Sequence, residues 1–277
     1  MAVLLALLSS VMWGSSDFLG GLRSRIRPAM AVVGGSQLCG LIAIALVALV
    51  TGAWHGDAGW VGWAVAAGLS GTGGLVCFYA ALAAGTMGVV SPIAALGAVV
   101  PVIIGIVSGE RPSALSVTGL VVALLGAVLA SGPELRGGAG ARPVGLAALA
   151  GVGFGLALVF IERGARFDSV MTLTGMRVTS VAVFAVVAIS LRSIGGLRPS
   201  DVVPLAVVGL GDVGANLLYA LATQRGLLSI TAVVGSLYPV VTVLLARFVL
   251  HERLARIQQI GVGAALVGVA LVALGRV

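Results

Sequence analysis

Apolar runs of about 20 residues recur along the whole chain, each closed by a charged, proline-rich or glycine-rich break. About 20 mostly apolar residues in helical form cross a bilayer core. The runs are continuous rather than alternating, which excludes the dyad pattern of a membrane β-barrel. Ten spans result, at 2–22, 29–51, 60–84, 87–108, 113–132, 143–163, 168–191, 202–224, 227–250 and 256–275. The first run lacks a basic leader and continues past Trp13, so it reads as a spanning helix rather than a removable signal peptide. The longest polar break, Gly132 to Pro143, lies five spans from either end. It divides the chain into a first five-helix repeat (1–132), a linker (133–142) and a second five-helix repeat (143–277).

The two halves echo one another. Tyr79-Ala80 matches Tyr219-Ala220, and Gly88, Ser91 and Pro101 match Gly226, Ser229 and Pro239 at one constant offset. Glu110-Arg111 matches Glu252-Arg253, and Trp13-Gly14 corresponds to Phe154-Gly155. Five is an odd number, so the second copy enters the membrane from the opposite side. The expected fold is therefore an all-α membrane protein, ten transmembrane helices arranged as two inverted five-helix repeats. Inverted repeats that bind at their interface are characteristic of transporters.

Composition sharpens this picture. Hydrophobic residues make up 60% of the chain and charged ones 9%, with a mean hydropathy of +1.19. So little charge cannot cover a water-facing surface, and a soluble enzyme is excluded. The 42 glycines suit close helix packing in lipid. The net charge of +7 comes from sixteen scattered arginines and gathers into no basic stripe, so no nucleic-acid partner is expected. Arginine without lysine, with abundant Ala, Gly and Val, is the usage of a GC-rich bacterial genome. The expected location is multi-pass in a bacterial cytoplasmic (inner) membrane. Cys39 and Cys77 sit in apolar runs as small buried thiols.

Several short motifs have plain explanations. Gly209-Leu210-Gly211-Asp212-Val213-Gly214 satisfies G-x-G-x-x-G but lies inside an apolar span, without the strand that a dinucleotide fold requires. The G-x-x-x-G pairs Gly105/Gly109 and Gly151/Gly155 serve helix packing within the chain, or contact with a second copy. No hydrolase motif, metal cluster or cofactor fingerprint is present, and no catalytic residue is expected. Glu110-Arg111 and Glu162-Arg163 fall at span ends and read as solvated headgroup anchors. Pro101 and Pro239 lie within spans, where each kinks its helix, as a static bend or as a gating hinge.

Trp13-Gly14-Ser15-Ser16, the run Ser236-Leu237-Tyr238-Pro239-Val240-Val241-Thr242, and Glu252-Arg253-Leu254 after it resemble the drug/metabolite transporter superfamily. The likeness is to its ten-helix EamA-type permeases and extends over the whole chain. It implies a permease moving small metabolites, amino acids or drugs, often outward, with both termini cytoplasmic. Asp17 departs from the pattern, because Asn or Thr is more usual there. The arginine count speaks for the other orientation, five on the side of the N-terminus against ten opposite.

Ionisable groups inside spans are expensive and point to function. At about 1.5 Å per residue from the face where the first helix starts, Asp17 lies about 22 Å deep, Arg177 about 13 Å and Asp212 about 18 Å. Trp13, Gln37, Asn216 and Tyr238 fall between about 12 and 18 Å. These seven side chains share one layer and form the expected substrate-binding set, with no metal and no cofactor. Two readings of the layer stand side by side: Arg177 and Asp212 simply pair while the aromatics pack, or the set faces a cavity. With two acids against one base, Asp17 is the candidate for a coupling proton or a cationic group. The expected function is a secondary transporter of a small molecule working by alternating access, as a monomer or homodimer in the lipid bilayer. The alternative is a membrane binding or regulatory protein of the same fold without flux.

Overall fold

The computed structural model describes residues 1–24, 26–53, 57–84, 93–130, 141–193, 195–249 and 255–275. The linker 133–140, the repeat matches at Gly88, Ser91 and Glu252-Arg253, and the Tyr79 side chain lie outside the described set. All regular structure among the described residues is helical. The first half comprises α1 (Ala2–Ser24), α2 (Ala29–Thr51), α3 (Val61–Ala84), α4 (Val99–Val107) and α5 (Ala114–Ala130). The second comprises α6 (Ala141–Ala165), α7 (Ser169–Leu191), α8 (Val202–Thr223), α9 (Leu228–Gly235), α10 (Tyr238–Val249) and α11 (Arg256–Leu274). Because α9 and α10 follow one another as a single interrupted span, ten spans result. The protein is a multi-pass membrane protein of two inverted five-helix repeats.

Local chemistry sets the helix ends. Gly52 closes α2 at φ 67, its amide reaching the carbonyls of Ala48 and Leu49. The Asp168 carboxylate accepts the Met171 amide at 2.7 Å and starts α7.

Packing follows the division into halves. α1 packs along α8 while α3 packs along α6, and α2 meets α8 as α3 meets α7. α5 and α11, the last span of each half, form the most extensive pair. Swapping the halves carries each pair onto its mate, which is the signature of a pseudo-two-fold arrangement. Glycines permit the closest approaches: a Cβ on Gly14 would lie 2.5 Å from the Tyr238 carbonyl oxygen, and one on Gly155 would run into Gly97 and Val100.

Pro101 and Pro239 each interrupt their span upstream of themselves. A proline ring excludes the carbonyl four residues earlier, and that residue is Gly97 before Pro101 and Gly235 before Pro239. The first span responds with a 3-10 turn, Leu96–Ala98, and the second ends α9 at Gly235 and resumes at Tyr238.

Candidate binding cavity between the two halves

The first helix displays Trp13, Ser16, Asp17 and Gly20 at helical spacing, so all four share one face. That face lines a cavity of about 160 Å³. Gln37 enters from α2, Arg177 from α7, Asp212 and Asn216 from one stripe of α8, and Tyr238 from the restart after the α9–α10 break. All seven side chains singled out from the sequence therefore border a single cavity. Thr72 and Phe78 of α3, Gly97 and Ala98 at the 3-10 turn, and Phe154 of α6 complete the opposite wall. Both proline-linked interruptions thus reach the cavity, where irregular backbone is tolerated at membrane depth.

At its centre is a closed polar network. Arg177, 2% exposed, pairs through Nη2 with Asp212 Oδ2 at 2.8 Å and donates through Nη1 to Gln37 Oε1. The Gln37 amide donates to the same Oδ2 at 3.4 Å. Trp13 Nε1 and Asn216 Nδ2 donate to Asp212 Oδ1 at 3.2 and 3.1 Å. One carboxylate thereby collects donors from α1, α2, α7 and α8. The Trp13 ring leans on Tyr219 at 5.8 Å, and Phe154, its repeat counterpart, meets Phe78 at the same separation. Asp17 stands apart, half-buried in the cavity wall, with no hydrogen bond or ion pair among the described residues.

The two faces differ. Toward the face opposite the N-terminus, the lining extends to Gly20, within one turn of the end of α1, and to Val32 near the start of α2. An ion pair between Arg27 and Asp201, 2.9 Å, joins the halves at that rim. On the N-terminal face the lining stops at Ile161 and Asn216, and beyond it polar contacts surround a separate pocket lined by Glu110, Glu162, Arg166 and Gln224. Glu162, 5% exposed, pairs with Arg166 at 2.5 Å and Arg163 at 3.4 Å, and Arg163 donates to Ser108 at 3.0 Å. Glu110 accepts the Leu228 and Ser229 amides at 2.5 and 3.0 Å, capping α9 from the other half. Gln224 donates to the Ala165 carbonyl and to Ser169, each at 2.7 Å.

These contacts correct the headgroup-anchor reading of Glu110 and Glu162. Position at a span end says nothing about a neighbour from the other half. The lining residues Thr72, Phe78 and Ser180 carried no charge or motif to announce them; Ser16 stood in the Trp13–Ser16 motif, and Phe154 was indicated by its match to Trp13. The glycines of the G-x-G-x-x-G stretch are packing positions: Gly209 lies against Ser36 and Gly40, Gly211 against Ser16, and Gly214 against Met12. Gly151 and Gly155 pack on residues 93–100 of the same chain.

The EamA-like transporter family matches residues 1–132 and again residues 142–274. No curated protein matches the chain. A solved structure, described only as "Crystal structure of protein", superposes with a TM-score of 0.82 at 21% identity, over 99% of this chain and 96% of that one. At that identity the likeness is one of fold.

Proposed function

The chain belongs to the EamA-like transporter family, and from that premise we propose that it is a secondary permease carrying a small metabolite, amino acid or drug by alternating access. One observation carries the reading. A cavity between inverted halves, with polar groups at mid-membrane depth, extends toward one face, while interlocked side chains separate it from a second pocket on the other. Substrate binds among Trp13, Asp17, Gln37, Arg177, Asp212, Asn216 and Tyr238. The interruptions before Pro101 and Pro239 give the fourth and ninth spans places to bend as the seal moves from one face to the other. Asp17, open to the cavity, is the group available to a coupling proton. The membrane is the cytoplasmic membrane of a bacterium.

Counterflow in reconstituted vesicles tests the proposal. Vesicles preloaded with a candidate substrate that raises the melting temperature of the purified protein should accumulate its radiolabelled form transiently. Binding without counterflow, for every ligand that stabilises the protein, would replace the permease with a binding or regulatory membrane protein.

A further inference from the structure

The charges around the cavity are unequally committed. Asp212 has both oxygens engaged, each by two donors. Gln37 gives its oxygen to Arg177 and its amide to Asp212. Arg177 commits both terminal nitrogens of its fork, one to each of these partners. Of its five N–H groups, those left over at Nε and Nη2 have no acceptor among the described residues, but both nitrogens are buried and present no open face to a ligand. Asp17 is the exception, with its carboxylate uncommitted among the described residues.

The ionisable groups around Asp17 are few. Asp212 on α8, Arg177 on α7 and Tyr238 on α10 border the same cavity. Arg27, beyond the end of α1, is held by Asp201. The described lining therefore carries two carboxylates against one guanidinium, and that guanidinium is already bound to Asp212. An anion would enter an uncompensated negative field. A neutral molecule would leave Asp17 facing it unpaired, whereas a cation would complete the balance.

The rest of the wall favours an apolar body. Trp13 lies one helical turn from Asp17 on the same face of α1, Tyr238 faces the cavity beside it, and Phe78 and Phe154 pair across the opposite wall. Aromatic faces attract ammonium groups, tryptophan most strongly.

Resting on the permease reading above, we propose that the substrate is a small organic cation, an ammonium on an apolar body, its nitrogen held by Asp17 between Trp13 and Tyr238. Asp17 is then the specificity-determining residue, and Arg177 with Asp212 is the internal brace that shapes the pocket.

Three probes of similar body and different charge test this on the purified full chain: 2-phenylethylamine (cation), L-phenylalanine (zwitterion) and 3-phenylpropanoate (anion). The amine should bind at least tenfold more tightly than the zwitterion, since the zwitterion brings a carboxylate into a lining that already holds an unpaired acid, and like charges side by side cost several kcal/mol; the anion should not bind. Asp17→Asn should lose about tenfold or more of amine affinity with no change in ligand-free melting temperature, and Asp17→Glu should retain amine binding. Equal or tighter binding of the zwitterion or anion, no binding of the amine, or undiminished amine affinity in Asp17→Asn would each overturn the proposal. Vesicle flux separates the two claims. Asp17-dependent amine binding without flux leaves the cation site and removes the permease, while flux of the zwitterion without amine binding does the reverse.

Discussion

Removing the two partners of the buried ion pair one at a time should have unequal effects. Asp212→Ala strips the carboxylate from four donors and leaves the Arg177 guanidinium, 2% exposed, without a counter-charge. Hydrogen bonds between spans average about 0.6 kcal/mol, so the three contacts from other spans, Trp13, Gln37 and Arg177, amount to about 1.8 kcal/mol. An uncompensated buried charge brings the total to about 3–5 kcal/mol. Arg177→Met removes the cation itself. The acid that remains is 26% exposed on the cavity side and keeps Trp13, Gln37 and Asn216 as donors, so two lost bonds set a cost of about 1–2 kcal/mol. The double variant Arg177→Met/Asp212→Leu should recover much of the Asp212→Ala loss, because apolar replacements of a buried pair are often close to neutral. Reversible unfolding in mixed micelles of SDS and mild detergent, followed by circular dichroism, measures all three. Should Arg177→Met cost as much as Asp212→Ala, or the double variant be no better than Asp212→Ala, the brace is not what holds these helices together.

Two further outcomes follow from contacts already described. Gly14→Ala should destabilise by about 1–3 kcal/mol, since its Cβ would meet the Tyr238 carbonyl at 2.5 Å and Val241 at 2.6 Å, whereas Gly21→Ala, with nothing within 4 Å, should stabilise by up to about 1 kcal/mol; the same unfolding assay compares them. Glu110→Gln replaces a charged cap on α9 by a neutral one and should loosen the N-terminal-face seal, read as faster maleimide labelling, from that face, of a cysteine placed at Asn216 after Cys39 and Cys77 are replaced. Unchanged labelling would show that the cap contributes nothing to closure.

Much of the architecture was legible because hydropathy acts locally. The expected span 29–51 is α2 itself, and the other described spans agree to within a few residues at their ends. The interruption of the ninth span was signalled by Pro239, but its site is set by the carbonyl four residues earlier, at Gly235. Depth alone gathered Trp13, Asp17, Gln37, Arg177, Asp212, Asn216 and Tyr238, since a helix has a fixed rise per residue and buried polar groups must find partners. Depth carries no azimuth, which is why the division of labour between Asp212, engaged by four groups, and Asp17, with no donor among the described residues, needed the structure. Glu110 was misread for a related reason, since its partners Leu228 and Ser229 become neighbours only when the halves assemble; Glu162 pairs with Arg166 four residues on, a contact the spacing already offered.

The shared carboxylate of Asp212 also constrains how the chain is made. When α7 emerges from the ribosome, Arg177 sits near its middle, and an arginine there costs about 2.5–3.5 kcal/mol to place in lipid. Its acid lies on α8, which is synthesised next. Until α8 arrives, the available relief is Gln37, a neutral acceptor on α2. The two helices therefore gain from leaving the translocon together as a hairpin, charge already matched. In a glycosylation-based insertion assay, α7 should enter the membrane less efficiently alone than when followed by α8, and Asp212→Ala should erase the difference. The bond that braces the finished protein would then also act as a checkpoint during its synthesis.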